Sequence, residues 1–191
     1  MICNRSDYKR YLNSDAHALF AKKPSFLEWL KNPIWKYQRL LRRCEYLKNT
    51  NHFVPIYLNI YYIYSKLQLS QLGKKLGFSI SENVFEEGLS IAHYGTIVVN
   101  PDAKIGKYCR IHVGVNIGAS IDGKSPVIGD NVYIGPGAKI FGGITLGDNV
   151  AVGANAVVNK SFPEGCTIGG VPAHIISDKG SNQMVKRHDW K

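Results

Sequence analysis

An aliphatic residue returns at every sixth position through the centre of the chain, and this spacing constrains the fold more than any other feature. A period of six matches neither the two-residue period of an isolated strand nor the 3.6-residue period of a helix. It is typical of a parallel β-helix, in which three short strands form one triangular coil and each coil buries its aliphatic side chains by stacking on the next. The repeating positions are Val99, Ile105, Ile111, Ile117, Ile128, Ile134, Ile140, Leu146, Val152 and Val158.

The repeat has one interruption. Between Ile117 and Ile128 lies a segment that contains Ser, Asp, Gly, Lys and Pro residues. This composition predicts a loop that leaves one corner of the coil, after which the repeat resumes in phase. Away from the loop, one coil should take about 18 residues and rise by about 4.8 Å. A loop on a rigid scaffold is a common place for a functional site.

The residues before the repeat have helical signals. Ser25 and Glu28 form a potential capping box, Pro33 divides the helical pattern, and a further helical run extends from Ile56 to Leu76 and ends at Gly77. We therefore predict a mainly β fold, a left-handed parallel β-helix with an N-terminal α-helical extension. The expected divisions are a basic helical extension over 1–76, the β-helix over 77–176 with irregular first coils, and a polar C-terminal tail over 177–191.

Charge is concentrated in the helical extension. Residues 1–76 contain 14 Lys and Arg against 4 Asp and Glu, whereas residues 77–191 contain 10 of each, so the formal net charge of +10 comes from the extension. Three interpretations are open: the extension packs on the β-helix end and presents a charged face to solvent, it rests on an anionic membrane surface, or it binds nucleic acid. The last is the weakest, because no recognised nucleic-acid module accompanies the charge.

The cysteines and the hydropathy favour a cytoplasmic protein, with the inner face of the membrane as an option for the basic extension. The four cysteines show no CxxC spacing, and the polar start MICNRSDYKR lacks the apolar region of a signal peptide. The longest apolar stretch, from Phe53 to Tyr64, is well short of the roughly 20 residues that span a bilayer.

Four segments in this order and spacing resemble those of a known family. They are residues 88–99 (GLSIAHYGTIVV), 134–140 (IGPGAKI), 152–158 (VGANAVV) and 169–173 (GGVPA). The chain is similar here to the hexapeptide-repeat acyltransferases, in the serine acetyltransferase-like branch that includes capsule and lipopolysaccharide O-acetyltransferases. The resemblance implies a homotrimer of left-handed prisms with acetyl-CoA in the groove between neighbours, and it implies no metal.

Two histidines are the candidate catalytic residues. His93 matches the family's catalytic histidine, which takes the proton from an acceptor hydroxyl as that oxygen attacks the thioester carbonyl. An imidazole suits this task, because its ordinary pKa of about 6.5 lets it accept a proton at neutral pH. His112 comes 19 residues later and so about one coil further on. Acceptor binding, a role as second base and a solvent-facing corner are all open for His112.

The candidate cofactor-binding residues are identified partly from their spacing and partly from the resemblance. Pro136 and Ala154 are 18 residues apart, which predicts that they stack at one corner of successive coils. A backbone N–H near Gly118 or Ala119, at the mouth of the loop, is the candidate donor to the tetrahedral oxyanion. The resemblance adds three candidate cofactor-binding residues: Asn159, Lys160 and His174.

Departures from the family pattern bear on the acceptor. Serine acetyltransferases have an acidic residue where this chain has Ala92, an Arg-His pair where it has Lys124 and Ser125, and an orienting aspartate at the position of Phe78. We therefore expect a sugar hydroxyl of a capsular or lipopolysaccharide precursor as acceptor, with serine as the alternative. The acidic partner of His93 is then sought among three carboxylates: Glu82, Glu86 and Glu87.

Two hypotheses of other classes stay open. Paired histidines one coil apart also occur in trimeric metal-dependent hydratases of the same architecture, which need three ligands and an open position. The other histidines, His17, His52, His174 and His188, show no spacing that supplies the third ligand. A non-enzymatic β-helix scaffold is the second hypothesis, and the retained His93 and closing segment 169–173 argue against it.

Overall fold

The computed structural model describes residues 1–50 and 56–185, and in this part of the chain the α-helices precede the strands and a short 3-10 helix, Ser181–Gln183, follows them. The helices are α1 (Arg5–Leu19), α2 (Phe26–Lys31), α3 (Pro33–Thr50) and α4 (Ile56–Leu76). None of the helices described is long and apolar enough to cross a bilayer. The beginning of the apolar stretch at Phe53 and the end of the predicted tail, residues 186–191, lie outside the described residues.

The helix boundaries follow the local signals in the sequence. The Glu28 backbone N–H donates to Ser25 Oγ at 3.3 Å and the Ser25 backbone N–H donates to Glu28 Oε2 at 2.9 Å, which confirms the capping box. Asn32 Oδ1 accepts from the Trp35 backbone N–H at 3.0 Å, and Pro33 is the first residue of α3. Proline suits this position because its missing N–H would be unpaired there in any case. The predicted division at Pro33 and the predicted α4 are therefore confirmed.

Short strands build a left-handed parallel β-helix with three faces, as predicted. Face 1 contains β1 (Phe78–Ser79), β3 (Ile97–Val99), β6 (Asn116–Gly118), β9 (Lys139–Phe141) and β12 (Val157–Val158). Face 2 contains β4 (Lys104–Ile105), β7 (Val127–Ile128) and β10 (Thr145–Leu146). Face 3 contains β2 (Ser90–Ile91), β5 (Arg110–Ile111), β8 (Tyr133–Ile134), β11 (Ala151–Val152), β13 (Thr167–Gly169) and β14 (His174–Ser177).

The register of the strands confirms both the repeat and its interruption. Ile134 pairs with Val152, 18 positions later in the sequence, on face 3. Ile117 pairs with Ile140, 23 positions later, because the loop 119–126 adds five residues at the corner after face 1. The coil therefore resumes in phase after the loop. The repeating aliphatic side chains are buried and form one continuous core along the prism axis.

Close stacking of the corners explains the small residues that follow many of the aliphatic positions. A Cβ on Gly135 would lie 2.7 Å from the carbonyl oxygen of Val152 in the next coil. Two residues later, Gly137 has a φ of +76°, and Asn155 at the equivalent position of the next coil has a φ of +55°. The left-handed backbone conformation thus occurs later in the corner than the glycine that follows the aliphatic residue. The glycine after the aliphatic residue is thus needed for the approach of the next coil, and the turn itself falls on later residues.

The first coil departs from the 18-residue spacing, as its phase in the sequence predicts. Phe78 pairs with Ile97 and Ile91 pairs with Ile111, at separations of 19 and 20. At the other end of the prism, β14 pairs antiparallel with β13 and closes the sheet. An antiparallel final strand ends the parallel stacking of coils.

The helices cover the open end of the first coil. The rings of Tyr37 on α3 and Phe78 on β1 pack edge to face with centroids 5.0 Å apart. Gln38 Nε2 on the same helix donates to the Leu89 carbonyl at 2.6 Å. Apolar residues of α3 and α4 join the core of the prism, so the helical extension packs on the β-helix end.

A buried guanidinium joins the helices to this coil. Arg42 on α3 has no exposed surface, and its Nε donates to Asp15 Oδ2 on α1 at 2.8 Å. Its Nη1 donates to Glu45 Oε2 at 2.9 Å and to the Phe85 carbonyl at 2.8 Å, and Nη2 donates to the Glu86 carbonyl at 2.7 Å. Burial alone would lower the pKa of Arg42, but Asp15 and Glu45 outweigh that effect and raise it.

The two carboxylates in this network also hold the backbone of the first coil. Asp15 Oδ1 accepts from the backbone N–H groups of Gly88 and Leu89 at 2.8 and 2.9 Å. Glu45 Oε1 accepts from the Asn83 N–H at 2.9 Å. These three backbone N–H groups of the irregular segment 83–89 therefore donate to side chains of the helices. In a regular coil they would donate to the backbone of another coil.

Replacing Arg42 should destabilise the whole fold. The Arg42→Gln variant would leave Asp15 and Glu45 as buried charges without their partner, which typically costs about 3–5 kcal/mol. Chemical denaturation of the wild type and the variant measures the loss. Arg10→Gln is the matched control, because Arg10 makes its ion pairs with Asp7 and Glu87 at the surface. Equal stability of the two variants would contradict a central role for Arg42.

Candidate active site

Three aromatic side chains from successive coils lie close together where face 3 meets the corner that follows it. The ring centroids of His93 and His112 are 6.0 Å apart, and those of His112 and Tyr133 are 5.1 Å apart. The parallel register of β2, β5 and β8 brings them close without aligning them, since Ile91 pairs with Ile111 and Ile111 with Ile134. His93 is exposed and His112 is half-buried. The repeat thus brings the two predicted catalytic histidines together, and it adds Tyr133, which the sequence analysis did not identify.

The environment of His112 keeps it neutral. Burial lowers the pKa of His112 from 6.5 to about 4, with further contributions from the positive charge of Arg110 and from His93. Its Nε2 is buried and has no hydrogen-bond partner in the described part of the chain. At neutral pH the His112 ring is therefore an uncharged neighbour of His93.

The three carboxylates considered as partners of His93 have other partners in the structure. Glu82 pairs with Lys66 at 3.1 Å, and Glu87 pairs with Arg10 at 2.7 Å. Glu86 pairs with the N-terminal ammonium group at 3.1 Å and accepts from the Tyr11 hydroxyl. Each therefore stabilises the contact between the helices and the first coil. Phe78, at the position of the family's orienting aspartate, is buried against Tyr37.

The same corner carries two of the candidate cofactor-binding residues. The backbone N–H of Asn155 donates to the Pro136 carbonyl at 2.9 Å, which sets Ala154 beside Pro136 on the next coil. Both residues are exposed. The predicted stacking of Pro136 and Ala154 is thus found, on the edge of the prism that also carries His93.

The other candidates lie at different places on the prism. Gly118 ends β6 and Ala119 begins the loop, while Asn159 and Lys160 follow β12 at the same corner, the one after face 1. The Lys160 ammonium group is 5.5 Å from the ring centre of Phe162. Within one chain, therefore, face 1 separates these four residues from His93.

His174 lies beyond the last parallel coil. It is the first residue of β14, is exposed and pairs with Gly169 at the end of β13. Since β13 follows β11 on face 3, His174 is nearer along the prism to Ala154 than to His93.

The loop 119–126 is closed by its own contacts. The Ser120 backbone N–H donates to the Lys124 carbonyl at 2.9 Å, and the Lys124 ammonium group pairs with Asp122 at 3.0 Å. Ser125 Oγ donates to Asn100 Oδ1 at 3.0 Å. At the tip, the side chain of Ile121 is fully exposed. The loop thus projects an apolar side chain away from the prism.

In the described residues, no group of three or more His, Cys, Asp or Glu side chains could hold a metal ion. His93 and His112 form a pair, and His52 and His188 lie outside the described residues. The four cysteines are free thiols, and Cys44, Cys109 and Cys166 are buried.

Comparisons with known proteins agree with this architecture. Residues 125–160 match the family model described as bacterial transferase hexapeptide (six repeats). The serine acetyltransferase of Synechococcus elongatus is 38% identical over 97 residues, which are 49% of this chain and 40% of that protein. This chain thus spans less than half of the length of that curated relative.

Crystal structures of serine acetyltransferases share the fold over most of this chain. The enzyme from Brucella abortus strain S19 superposes with a TM-score of 0.74 at 25% identity, covering 93% of this chain and 72% of that one. The same protein in complex with coenzyme A gives 0.70 at 24%, covering 92% and 70%. The Neisseria gonorrhoeae enzyme in complex with serine gives 0.71 at 25%, covering 91% and 70%.

All of these relatives bear the name serine acetyltransferase. Residues 125–160 therefore match the hexapeptide repeats of bacterial transferases, and the chain has a fold that serine acetyltransferases share.

Proposed function

We propose that this protein is an acetyl-CoA-dependent O-acetyltransferase in which His93 is the general base. The observation that carries the proposal is the exposed His93 ring, whose centre lies 6.0 Å from that of His112, on the corner that also presents Pro136 and Ala154. The serine acetyltransferase names of the relatives, and the coenzyme A bound to one of them, support the same reaction.

The reaction needs one proton acceptor and no change in oxidation state. The acceptor hydroxyl oxygen attacks the thioester carbonyl carbon while His93 takes the hydroxyl proton. The tetrahedral intermediate then breaks its C–S bond, and the thiolate of coenzyme A takes the proton back from the imidazolium. A general base of this kind typically contributes about 10²–10⁴-fold to the rate.

The remaining groups come from a second copy of the chain in this proposal. Gly118, Ala119, Asn159 and Lys160 lie one face away from His93, so one prism alone does not bring the two sets together. A homotrimer with closed symmetry would join the His93 corner of one copy to the loop corner of its neighbour. Ala119 suits an oxyanion donor, because its backbone N–H makes no hydrogen bond to the residues described.

Free serine is the first candidate acceptor, because the relatives are named for it. A sugar hydroxyl is the second candidate, and a specific observation favours it. Serine carries an ammonium group and a carboxylate, yet position 92 beside His93 is alanine and Lys124 in the loop is already paired with Asp122. A neutral sugar would not require a carboxylate at this corner.

Turnover assays test the reaction and the acceptor together. Purified protein should release free coenzyme A thiol from acetyl-CoA when L-serine is supplied, and nucleotide sugars and oligosaccharides form the parallel arm. His93→Ala should lose at least about 10²-fold in kcat/KM because the general base is absent. Lys104→Ala, on face 2, is the matched control. Full activity of His93→Ala would end the base assignment, and turnover with sugars alone would exclude serine.

Mixed oligomers test whether two copies build the site. His93→Ala and Ala119→Trp alter different corners, and each should be inactive alone. In a random one-to-one mixture, about one quarter of the interfaces of a cyclic oligomer would join two intact corners. We therefore expect about one quarter of wild-type activity after co-expression. A mixture of His93→Ala and Ala154→Trp, which alter the same corner, should stay inactive, and equal recovery in both mixtures would contradict the proposal.

The neutral state of His112 predicts a dependence of stability on pH. The folded protein holds the His112 pKa at about 4, whereas the unfolded chain binds that proton below about 6.5. The unfolded state therefore takes up more protons between these values, and stability should fall as the pH falls through this window. Denaturation of wild type and His112→Gln at several pH values measures the effect. An equal fall in both proteins would show that His112 does not contribute to it.

A further inference from the structure

Two arginines on α3 have no carboxylate partner in the described part of the chain. Arg39 and Arg43 are one helical turn apart, and neither takes part in an ion pair there. Arg39 Nε is buried and unpaired. Burial and the nearby charge of Arg43 both lower the pKa of Arg39. A pair of like charges held together without a counter-ion is a favourable place for an external anion.

Aromatic rings flank this pair from two other helices. The Arg39 guanidinium lies 3.9 Å from the ring centre of Trp29 on α2, and the Arg43 guanidinium lies 5.7 Å from that of Tyr61 on α4. Cation–π contact holds both guanidinium groups in place and leaves their charge uncompensated. The arginine pair therefore links α2 and α4 along one side of α3.

Exposed apolar side chains border the arginines on both flanking helices. On α2 the side chain of Phe26 is 75% exposed, and on α4 that of Ile60 is 63% exposed. We call the surface formed by α2, the two arginines and α4 the basic aromatic face. Its members are Phe26, Leu27, Trp29, Leu30, Arg39, Arg43, Ile60, Tyr61, Ile63, Tyr64 and Leu67.

We propose that the basic aromatic face docks this protein on an anionic phospholipid membrane. Such a surface combines phosphate groups for the arginines with an apolar layer for the Phe, Leu and Ile side chains, and aromatic rings favour the boundary between them. The inference is independent of the proposed acetyl transfer, because no residue of this face belongs to the candidate active site.

Charge favours the membrane over a second copy as the occupant. The helical extension carries 14 basic and 4 acidic residues, a net charge of +10. A symmetric contact between two copies would bring the same arginines of each copy close together in a desolvated interface, where like charges repel. An anionic lipid surface reverses the sign of this interaction and attracts each basic residue near it.

Vesicle flotation of the full chain tests the proposal. Wild type should float with vesicles of phosphatidylcholine and phosphatidylglycerol and should not float with phosphatidylcholine alone. Arg39→Gln/Arg43→Gln should lower the partition coefficient about thirtyfold, since each basic residue at an anionic surface contributes a factor of about five. Arg39→Lys/Arg43→Lys keeps the charge and should retain most of the binding. This variant shows whether the Gln pair loses flotation because of its lower charge or because the protein misfolds.

Lys74→Gln/Lys75→Gln is the matched control. It removes the same charge from exposed positions of α4 that lie about 20 Å along the helix from Tyr61. This separation exceeds the Debye length of about 10 Å at 0.1 M salt, so the partition coefficient should fall about twofold or less.

Three results would overturn the proposal. The first is an equal loss of flotation for the Gln pair at 39 and 43 and for the control pair. The second is flotation that is equal with neutral and anionic vesicles. The third combines two observations: the wild type binds no vesicles, and sedimentation shows a smaller oligomer for Phe26→Ser/Leu27→Ser than for the wild type. A second copy of the chain would then occupy the basic aromatic face.

Discussion

The ion network around Arg42 is the interaction on which the position of the candidate site depends. Arg42, Asp15 and Glu45 are buried, and removing charges from water is costly unless each charge finds several partners. Here Arg42 donates to two carboxylates and two carbonyls, and the carboxylates accept from three backbone N–H groups of segment 83–89. That segment leads directly into β2 and His93. The helices therefore replace the neighbouring coil that an irregular first coil lacks.

Stacking then determines what each edge of the prism presents. Because strands pair in parallel with side chains in register, a residue that follows a buried aliphatic position lies above its equivalent in the next coil. Pro136 and Ala154 come together in this way, and His93 lies one residue out of register with His112, close enough for their rings to be 6.0 Å apart. The same regularity separates the loop corner from the histidine corner by one face. A functional set of residues drawn from both corners thus requires contact between prisms, which is the physical reason for proposing an oligomeric site.

The sequence predicted the features that follow from a period and failed on those that follow from single long-range contacts. The coil length, the position of the loop and the proximity of His112 to His93 all follow from spacing. The partners of Glu82, Glu86 and Glu87 have no periodic signal, since Glu86 contacts the N-terminus and Glu87 contacts Arg10 on α1. The buried Asp15–Arg42 pair is equally invisible in the sequence, where 14 Lys and Arg in the extension suggest only a charged surface. Tyr133 was missed because its ring reaches diagonally across to the histidine of the preceding coil.

The choice of acceptor is a separate question from the reaction, and the two depend on different residues. Identity to the Synechococcus elongatus relative extends over 97 residues, whereas an acceptor is distinguished by a few side chains at a corner. An ammonium group brought to this corner would meet the methyl group of Ala92, the neutral ring of His112 and the positive charge of Arg110, so its desolvation would be poorly compensated. Serine binding would then require a carboxylate from a neighbouring copy. A sugar hydroxyl would require only hydrogen bonds, which His112 can supply in its neutral state.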